Sequence, residues 1–207
     1  MPTTTNNGWP TPADTDLVKN GADAIRDLGN AIDTTLGVYS PVTPGLVKIN
    51  TTSFSGVSTQ SFNSVFNSTY DNYKILLKMT TSNGGALTLK LRASGTDTST
   101  NYECQRVSAQ TTSLITTRNP NGTDEFFFAQ MEASGAQDGN VIEATIFAPN
   151  LATKTGLIGW NSAITNDPYI NLAYVCGIQN TSTQFDGFTL IAGGNMGGTI
   201  SIYGFNK

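Results

Sequence analysis

From Leu46 to the end of the chain, apolar and polar residues tend to alternate with period two, the spacing of a strand with one covered face. Tyr73, Ile75, Leu77 and Met79 fall on one side of such a strand. Leu87, Leu89 and Leu91 oppose Thr88, Lys90 and Arg92, and Ile142, Ala144 and Ile146 oppose Glu143 and Thr145. Further candidates are Leu46–Ile49, Val57–Phe66 and Glu125–Met131. The set Ile158, Trp160, Ser162 and the set Leu172, Tyr174, Cys176, Ile178 follow, and Phe188–Ala192 and Thr199–Tyr203 close the chain. Together these predict roughly nine or ten strands. Asn83-Gly84-Gly85, Asn121-Gly122, Asp138-Gly139-Asn140, Asp186-Gly187 and Gly197-Gly198 separate them with turn chemistry. The glycine-rich stretch Gly193–Gly198 lacks the Lys-Ser/Thr ending of a phosphate loop and reads as a hairpin turn at positive φ.

Before Leu46 the period changes. Val18, Ala22, Ile25, Leu28 (or Gly29), Ile32 and Leu36 recur at three- and four-residue spacing and predict one amphipathic helix over 14–36. Asp14 or Thr15 suits its N-cap and Gly37 its end. Two internal glycines, Gly21 and Gly29, each cost about 0.7–1 kcal/mol against alanine, so the stripe needs cover. That cover is either a short bundle of copies, for which the Val18, Ile25, Ile32 heptad spacing is compatible with a homotrimer, or packing within the chain or on another protein. Residues 1–13 form a Pro- and Thr-rich arm. Its Trp9 is expected to dock on a neighbouring subunit or on its own helix. Pro41 and Pro44 stiffen a linker. The expected organisation is therefore an arm, helix and linker over 1–45 and an all-β domain over 46–207. The β domain is read as an antiparallel two-sheet sandwich of jelly-roll type, with a Greek-key sandwich as the alternative. Without a second amphipathic helix, α/β folds are disfavoured.

Composition narrows the function. Charged residues are 13% of the chain and Thr, Ser, Asn and Gly take their place, which suits a particle-surface or extracellular β protein. The net charge of −4, without a basic stripe, argues against nucleic acid as a partner and against an anionic membrane surface. No apolar run is long enough for membrane insertion, and the first residues lack a secretory signal pattern. Histidine is absent, which removes the commonest general base and metal ligand. No nucleophile elbow occurs, and the acidic residues Asp124, Glu125, Glu132, Glu143 and Asp186 read as strand-end or turn charges. No catalytic residue, cofactor or metal site is expected. Cys176 lies in an apolar run and reads as a small buried hydrophobe, with a bridge to Cys104 left open. The loop candidates 93–102 and 161–169 place Tyr102 and Tyr169 where an aromatic face can stack on a sugar, while Trp160 fits the alternation as a core residue.

Two groups of segments resemble structural proteins of tailed bacteriophages. Residues Gly8 to Asp33, beginning Gly-Trp-Pro-Thr-Pro-Ala-Asp, are similar to a segment of minor tail and fibre proteins. Phe66–Ile75, Leu91–Gly95, Phe185–Leu190 and Thr199–Gly204 are similar to strings in C-terminal β domains of virion proteins. The resemblance implies a non-enzymatic virion protein at the particle surface: a tail fibre, spike or baseplate appendage assembled in the host cytoplasm. It also implies a homotrimer contacting other virion proteins, whose outward β domain meets a host surface glycan. A capsid decoration or head-fibre protein is the alternative, and a polysaccharide depolymerase a more distant one. Because no repetitive shaft is present, the chain departs from the long-fibre pattern.

Overall fold

A computed structural model describes residues 3–5, 7–11, 13, 17, 20–38, 45–110, 113–131, 139–164 and 170–207. Contacts divide the chain into two units, Met1–Pro44 and Gly45–Lys207.

Among its described residues the first unit contains one helix, α1 (Gly21–Val38). Asp14, Thr15 and Val18 lie outside the described residues, and Gly37, expected to stop the helix, is helical. The covered positions differ from the expected stripe. Ala24 is buried, and Gly21, Leu28, Ala31, Ile32 and Thr35 are half-buried. Ala22 is exposed, as are Ile25 and Leu36 at 69% and 62%. The arm accounts for part of this rotation. Trp9 lies on its own helix, with the indole N–H donating to Thr35 Oγ1 at 2.9 Å, while Thr35 Oγ1 donates to Ala31 O at 2.8 Å.

The second unit is antiparallel β. Its strands are β1 (Leu46–Phe62), β2 (Asn72–Thr81), β3 (Gly85–Ala93), β4 (Thr96–Asp97), β5 (Tyr102–Gln110) and β6 (Ser113–Thr123). They continue with β7 (Phe126–Met131), β8 (Asn140–Phe147), β9 (Thr155–Ile164), β10 (Ile170–Gln179) and β11 (Gly187–Phe205). All belong to one hydrogen-bonded sheet in the order β4-β3-β11-β2-β8-β9-β10-β5-β6, with β1 also on β11 and β7 also on β3. The sheet curls into a half-barrel.

The curl has a local cause. β11 pairs with β3 through Gly187–Ala192 and with β2 through Met196–Gly204, while β1 follows it along its other edge. The stretch Gly193–Gly198 is the handover between these partners. It is continuous strand, not the expected hairpin turn, and none of its glycines has positive φ. Glycine is needed there for close approach: a Cβ on Gly198 would stand 2.3 Å from the Lys78 carbonyl oxygen. β1 bends alongside through register shifts at Phe54/Val57 and Val57/Thr59, with Gly56 at φ +67° supplying a left-handed bulge. Leu46–Ile49 and the start of the Val57–Phe66 segment are thus one long strand.

Alternate residues of β2, β3 and β8 line the core as their pattern predicts, with Tyr73, Ile75, Leu77, Leu87, Leu89, Leu91, Ile142 and Ile146 buried. Phe62, Phe66 and Phe188 add an aromatic cluster, with ring centroids 4.9 Å apart for Phe62–Phe188 and 5.7 Å for Phe66–Phe188. Tyr102, expected in an exposed loop, is instead fully buried at the start of β5. Its ring meets Phe126 edge-on at 4.8 Å. Its hydroxyl accepts from Leu91 N at 2.8 Å and donates to Thr98 O at 3.0 Å. Burial holds its pKa well above the usual tyrosine range, against the opposing hydrogen bond from Leu91. Having no free surface, Tyr102 cannot be a glycan contact.

Cys176, expected to be buried, is exposed, whereas Cys104 is buried, and both are free. In the β10–β5 register Cys104 faces Gly177, and Cys176 faces Gln105. Side chains alternate across a strand, so the two thiols point to opposite faces of the sheet.

Candidate aromatic surface on the sheet

The sidedness of β9 and β10 creates the principal surface feature. Both strands carry apolar residues on the face opposite to the core. In β10, Leu172, Tyr174 and Cys176 are exposed while Asn171, Ala173, Val175 and Gln179 are buried. In β9, Ile158 is exposed and Trp160 half-exposed, while Thr155, Leu157, Asn161 and Ala163 face inward. Trp160 is therefore not the core residue its alternation suggests.

The inward residues explain the inversion. β7 lies against the inner side of β9, β10 and β5, and small residues make room for it. A Cβ on Gly177 would stand 2.8 Å from the Phe126 ring and 3.0 Å from Cys104 Cβ. Asn161 supplies the missing edge of β7: its Nδ2 donates to Gln130 O at 2.6 Å, and its Oδ1 accepts from Gln130 N at 3.1 Å. One side-chain amide thus pairs both backbone groups of Gln130 as a neighbouring strand would. Gln179 is likewise buried, donating to Thr100 O at 3.1 Å and accepting from Thr181 N at 2.9 Å. Polar and small residues face in because β7 and the 98–101 segment need partners and space. The larger apolar residues are left to face out.

The outward rows are set by register. Thr116, Val107, Tyr174, Trp160, Glu143 and Leu76 are successive partners across β6, β5, β10, β9, β8 and β2. The adjacent row carries Arg118, Gln105, Cys176, Ile158, Thr145 and Lys74. Between the rows lies a depression of about 390 Å³, walled by Val107, Ile158, Trp160, Tyr174 and Cys176, with Gln105, Arg106, Glu143 and Thr145 among its polar lining residues. Tyr174 is 60% exposed and Ile158 51%. The patch continues through Leu172 and Val141 towards Leu114 on β6.

The charges around it are engaged. Lys74 Nζ lies 2.6 Å from Glu143 Oε1, and Arg118 Nη2 lies 2.5 Å from Glu103 Oε1. Among the described residues Glu143 is the one carboxylate lining the depression. The paired carboxyl groups that hydrolysis of a glycosidic bond uses do not meet there. Among the described residues no three His, Cys, Asp or Glu side chains gather as a metal site, and no helix is long and apolar enough to cross a membrane.

The structure treats the expected site residues in different ways. Tyr102 is withdrawn into the core, and Tyr169 and Val18 lie outside the described residues. Trp9, Ala22, Ile25, Leu28, Ile32 and Leu36 all belong to the first unit. Trp160 and Tyr174 instead form a cross-strand aromatic pair on the outer face. The available signal was that β9 and β10 each carry small or amide residues opposite the large ones. No family model matches this chain, and no curated protein matches it significantly.

Proposed function

We propose that this chain is a non-catalytic surface protein of a tailed-phage virion, a short fibre, spike or baseplate appendage. Its helix-bearing unit associates copies of the chain, as a homotrimer with other virion proteins, and its β unit presents a face that binds a host-surface glycan. The observation that carries the binding role is the Trp160–Tyr174 pair. Two large aromatics in direct cross-strand register stand at an exposed depression whose polar lining residues include an amide, a hydroxyl and a carboxylate. Aromatic faces stack on the apolar faces of pyranose rings while amides and hydroxyls match sugar hydroxyls. The resemblance of the arm, the helix and four β segments to phage tail proteins supports the setting. The long bent strands β1 and β11, each shared along the curl, favour a jelly-roll-like origin for the β unit.

Glycan-array binding of the full chain tests this reading. Tyr174→Ala, a change at an exposed position, is expected to lower affinity for the bound glycan about tenfold or more. Binding that is unchanged by Tyr174→Ala and by Trp160→Phe rejects the surface. Shortening of the polysaccharide on incubation would replace the binding role with depolymerase activity.

One observation favours a second reading, attachment to a capsid. β6 ends the strand order, and Leu114 and Ile115, on its opposite faces, are both exposed. Such an edge is a template for strand addition by another virion protein. Imaging of labelled particles distinguishes head from tail.

A further inference from the structure

The inner face of the β5–β6 pair carries a cationic group whose hydrogen-bonding capacity is only partly used. Arg106 points inward from β5, opposite Thr117 of β6, and Cys104 lies opposite Asn119. The Arg106 guanidinium carbon lies 4.1 Å from the Phe127 ring centroid, and its Nη1 donates to Gln130 Oε1 at 2.5 Å. Its Nε is screened from solvent and has no acceptor among the described residues. Among the described residues no carboxylate lies within ion-pair distance of it. The other three arginines, Arg26, Arg92 and Arg118, each hold an aspartate or glutamate. Burial pulls the Arg106 pKa below the usual arginine range, the cost of removing a charge from water.

The group borders a depression of about 230 Å³ lined by Ala86, Thr117, Asn119, Phe127 and Gln130 as well as Cys104. Arg106 borders the Trp160–Tyr174 depression as well, but its side chain faces away from the Val107 side chain, because the two are successive residues of one strand. Arginine offers five N–H donors in a planar fork whose spacing matches the two oxygens of a carboxylate. The Asn119 amide and the Thr117 hydroxyl lie in the same lining and add donors for ring oxygens or hydroxyls. Phe127 and Ala86 give an apolar wall. Among the described residues the lining supplies no second cation and no helix N-terminus, the features that favour a doubly charged phosphate.

We propose that the Arg106 depression is a binding site for the carboxylate of an acidic sugar. This inference stands apart from the aromatic surface, and either can fail alone. The test is titration of the full chain, labelled with ¹⁵N-arginine, with sodium glucuronate, following the four arginine Nε–H signals. The Arg106 signal is identified by its loss in Arg106→Lys. The expected result is a saturable shift of that signal with a dissociation constant on the order of millimolar, as one charge-assisted contact gives. The other three signals should stay in place. Glucose, of similar size but neutral, is expected to leave all four unmoved, and Asn119→Ala to weaken glucuronate binding severalfold. The unmoved Arg26, Arg92 and Arg118 signals report that a variant has kept its fold. No saturable shift with glucuronate, an equal shift with glucose, or a saturable shift with phosphate alone would each overturn the assignment.

Discussion

Replacing Tyr102 with phenylalanine isolates one hydroxyl in the core and gives two numbers to measure. The hydroxyl ties Leu91 of β3 to Thr98, so it holds the β4 segment against the strand it pairs with. In the variant the Leu91 N–H stays buried without an acceptor. Thr98 O is better placed to recover water, because its residue is half-exposed. An unsatisfied buried donor costs about 1–3 kcal/mol, so the expected loss at neutral pH is about 2 kcal/mol. For a domain of this size that lowers Tm by about 4–8 °C.

The second number is the pH dependence of that loss. Folding raises the Tyr102 pKa, chiefly by burial, above the value of about 10 that tyrosine has in an unfolded chain. Above pH 10 the unfolded state therefore binds fewer protons than the native state, and stability falls as pH rises. This phenol contributes about 1.4 kcal/mol of that fall per pH unit until the native value is reached. Phenylalanine has no such proton. The penalty of Tyr102→Phe should therefore shrink from about 2 kcal/mol at pH 7 to below about 1 kcal/mol near pH 11. Tyr73, whose pKa is also raised by burial, titrates alike in both proteins and drops out of the difference. Urea denaturation followed by circular dichroism at the two pH values makes the comparison. A penalty under about 0.5 kcal/mol at pH 7, or the same penalty at both, refutes the reasoning.

In the first unit, Ile25→Asp places a charge on the exposed apolar face of α1 and should convert the proposed homotrimer to monomer by light scattering. An unchanged mass removes α1 as the association element. Asn161→Asp keeps the side chain's shape but loses the donor to Gln130 O and buries an acid, for an expected cost of about 3 kcal/mol or more in denaturant melts. If β7 is held by that amide, exchange of the Gln130 amide proton should also accelerate strongly. Ellman's reagent should modify exposed Cys176 quickly in the native protein and Cys104 only on unfolding, because Cys104 is buried and burial pushes its pKa up. Equal rates for the two thiols would contradict the opposed faces.

Class and several elements were legible in the chain because their signals were one-sided. In β2, β3 and β8 large apolar residues oppose Lys, Glu, Arg or Thr, and burial follows the alternation. β9 and β10 were legible as strands but not in their orientation. Ile158, Trp160, Leu172 and Tyr174 outweigh Leu157, Ala173 and Val175 in apolar bulk, so a rule placing bulk inside chose the wrong face. β5 and β6 were missed as strands because Glu103, Gln105, Arg106 and Gln110, or Thr116 to Asn119, give a weak pattern. Their strand form comes from pairing with β10 and with each other. The glycines at 193–198 were read through their freedom in φ, whereas their lack of a side chain is what the handover requires. Tyr102 fell in a polar stretch, and only its contacts, distant in sequence, show it to be core.

The same inversion makes the sheet face hard to explain as a by-product of folding. Inward demand from β7 accounts for Asn161 and Gly177, and the close approach of Ala144 on β8 for Gly159, but neither sets a requirement on the residues opposite. Threonine or serine at 158, 160, 172 and 174 would keep β-propensity and satisfy the ladder equally. That substitution is seen elsewhere in this chain, where Thr51, Ser53, Thr199 and Ser201 occupy the outer face of β1 and β11 and bond one another across the strands. Two solutions for an outer face therefore coexist in one sheet, a hydroxyl ladder and an apolar–aromatic patch. Exposed large apolar groups favour non-specific association, so their concentration on β9, β10 and β5 is best explained by contact with a ligand or partner. The hydroxylated end serves as the internal comparison. Moving its pattern onto the patch, as in Tyr174→Thr with Ile158→Thr, should leave the fold intact and remove the binding.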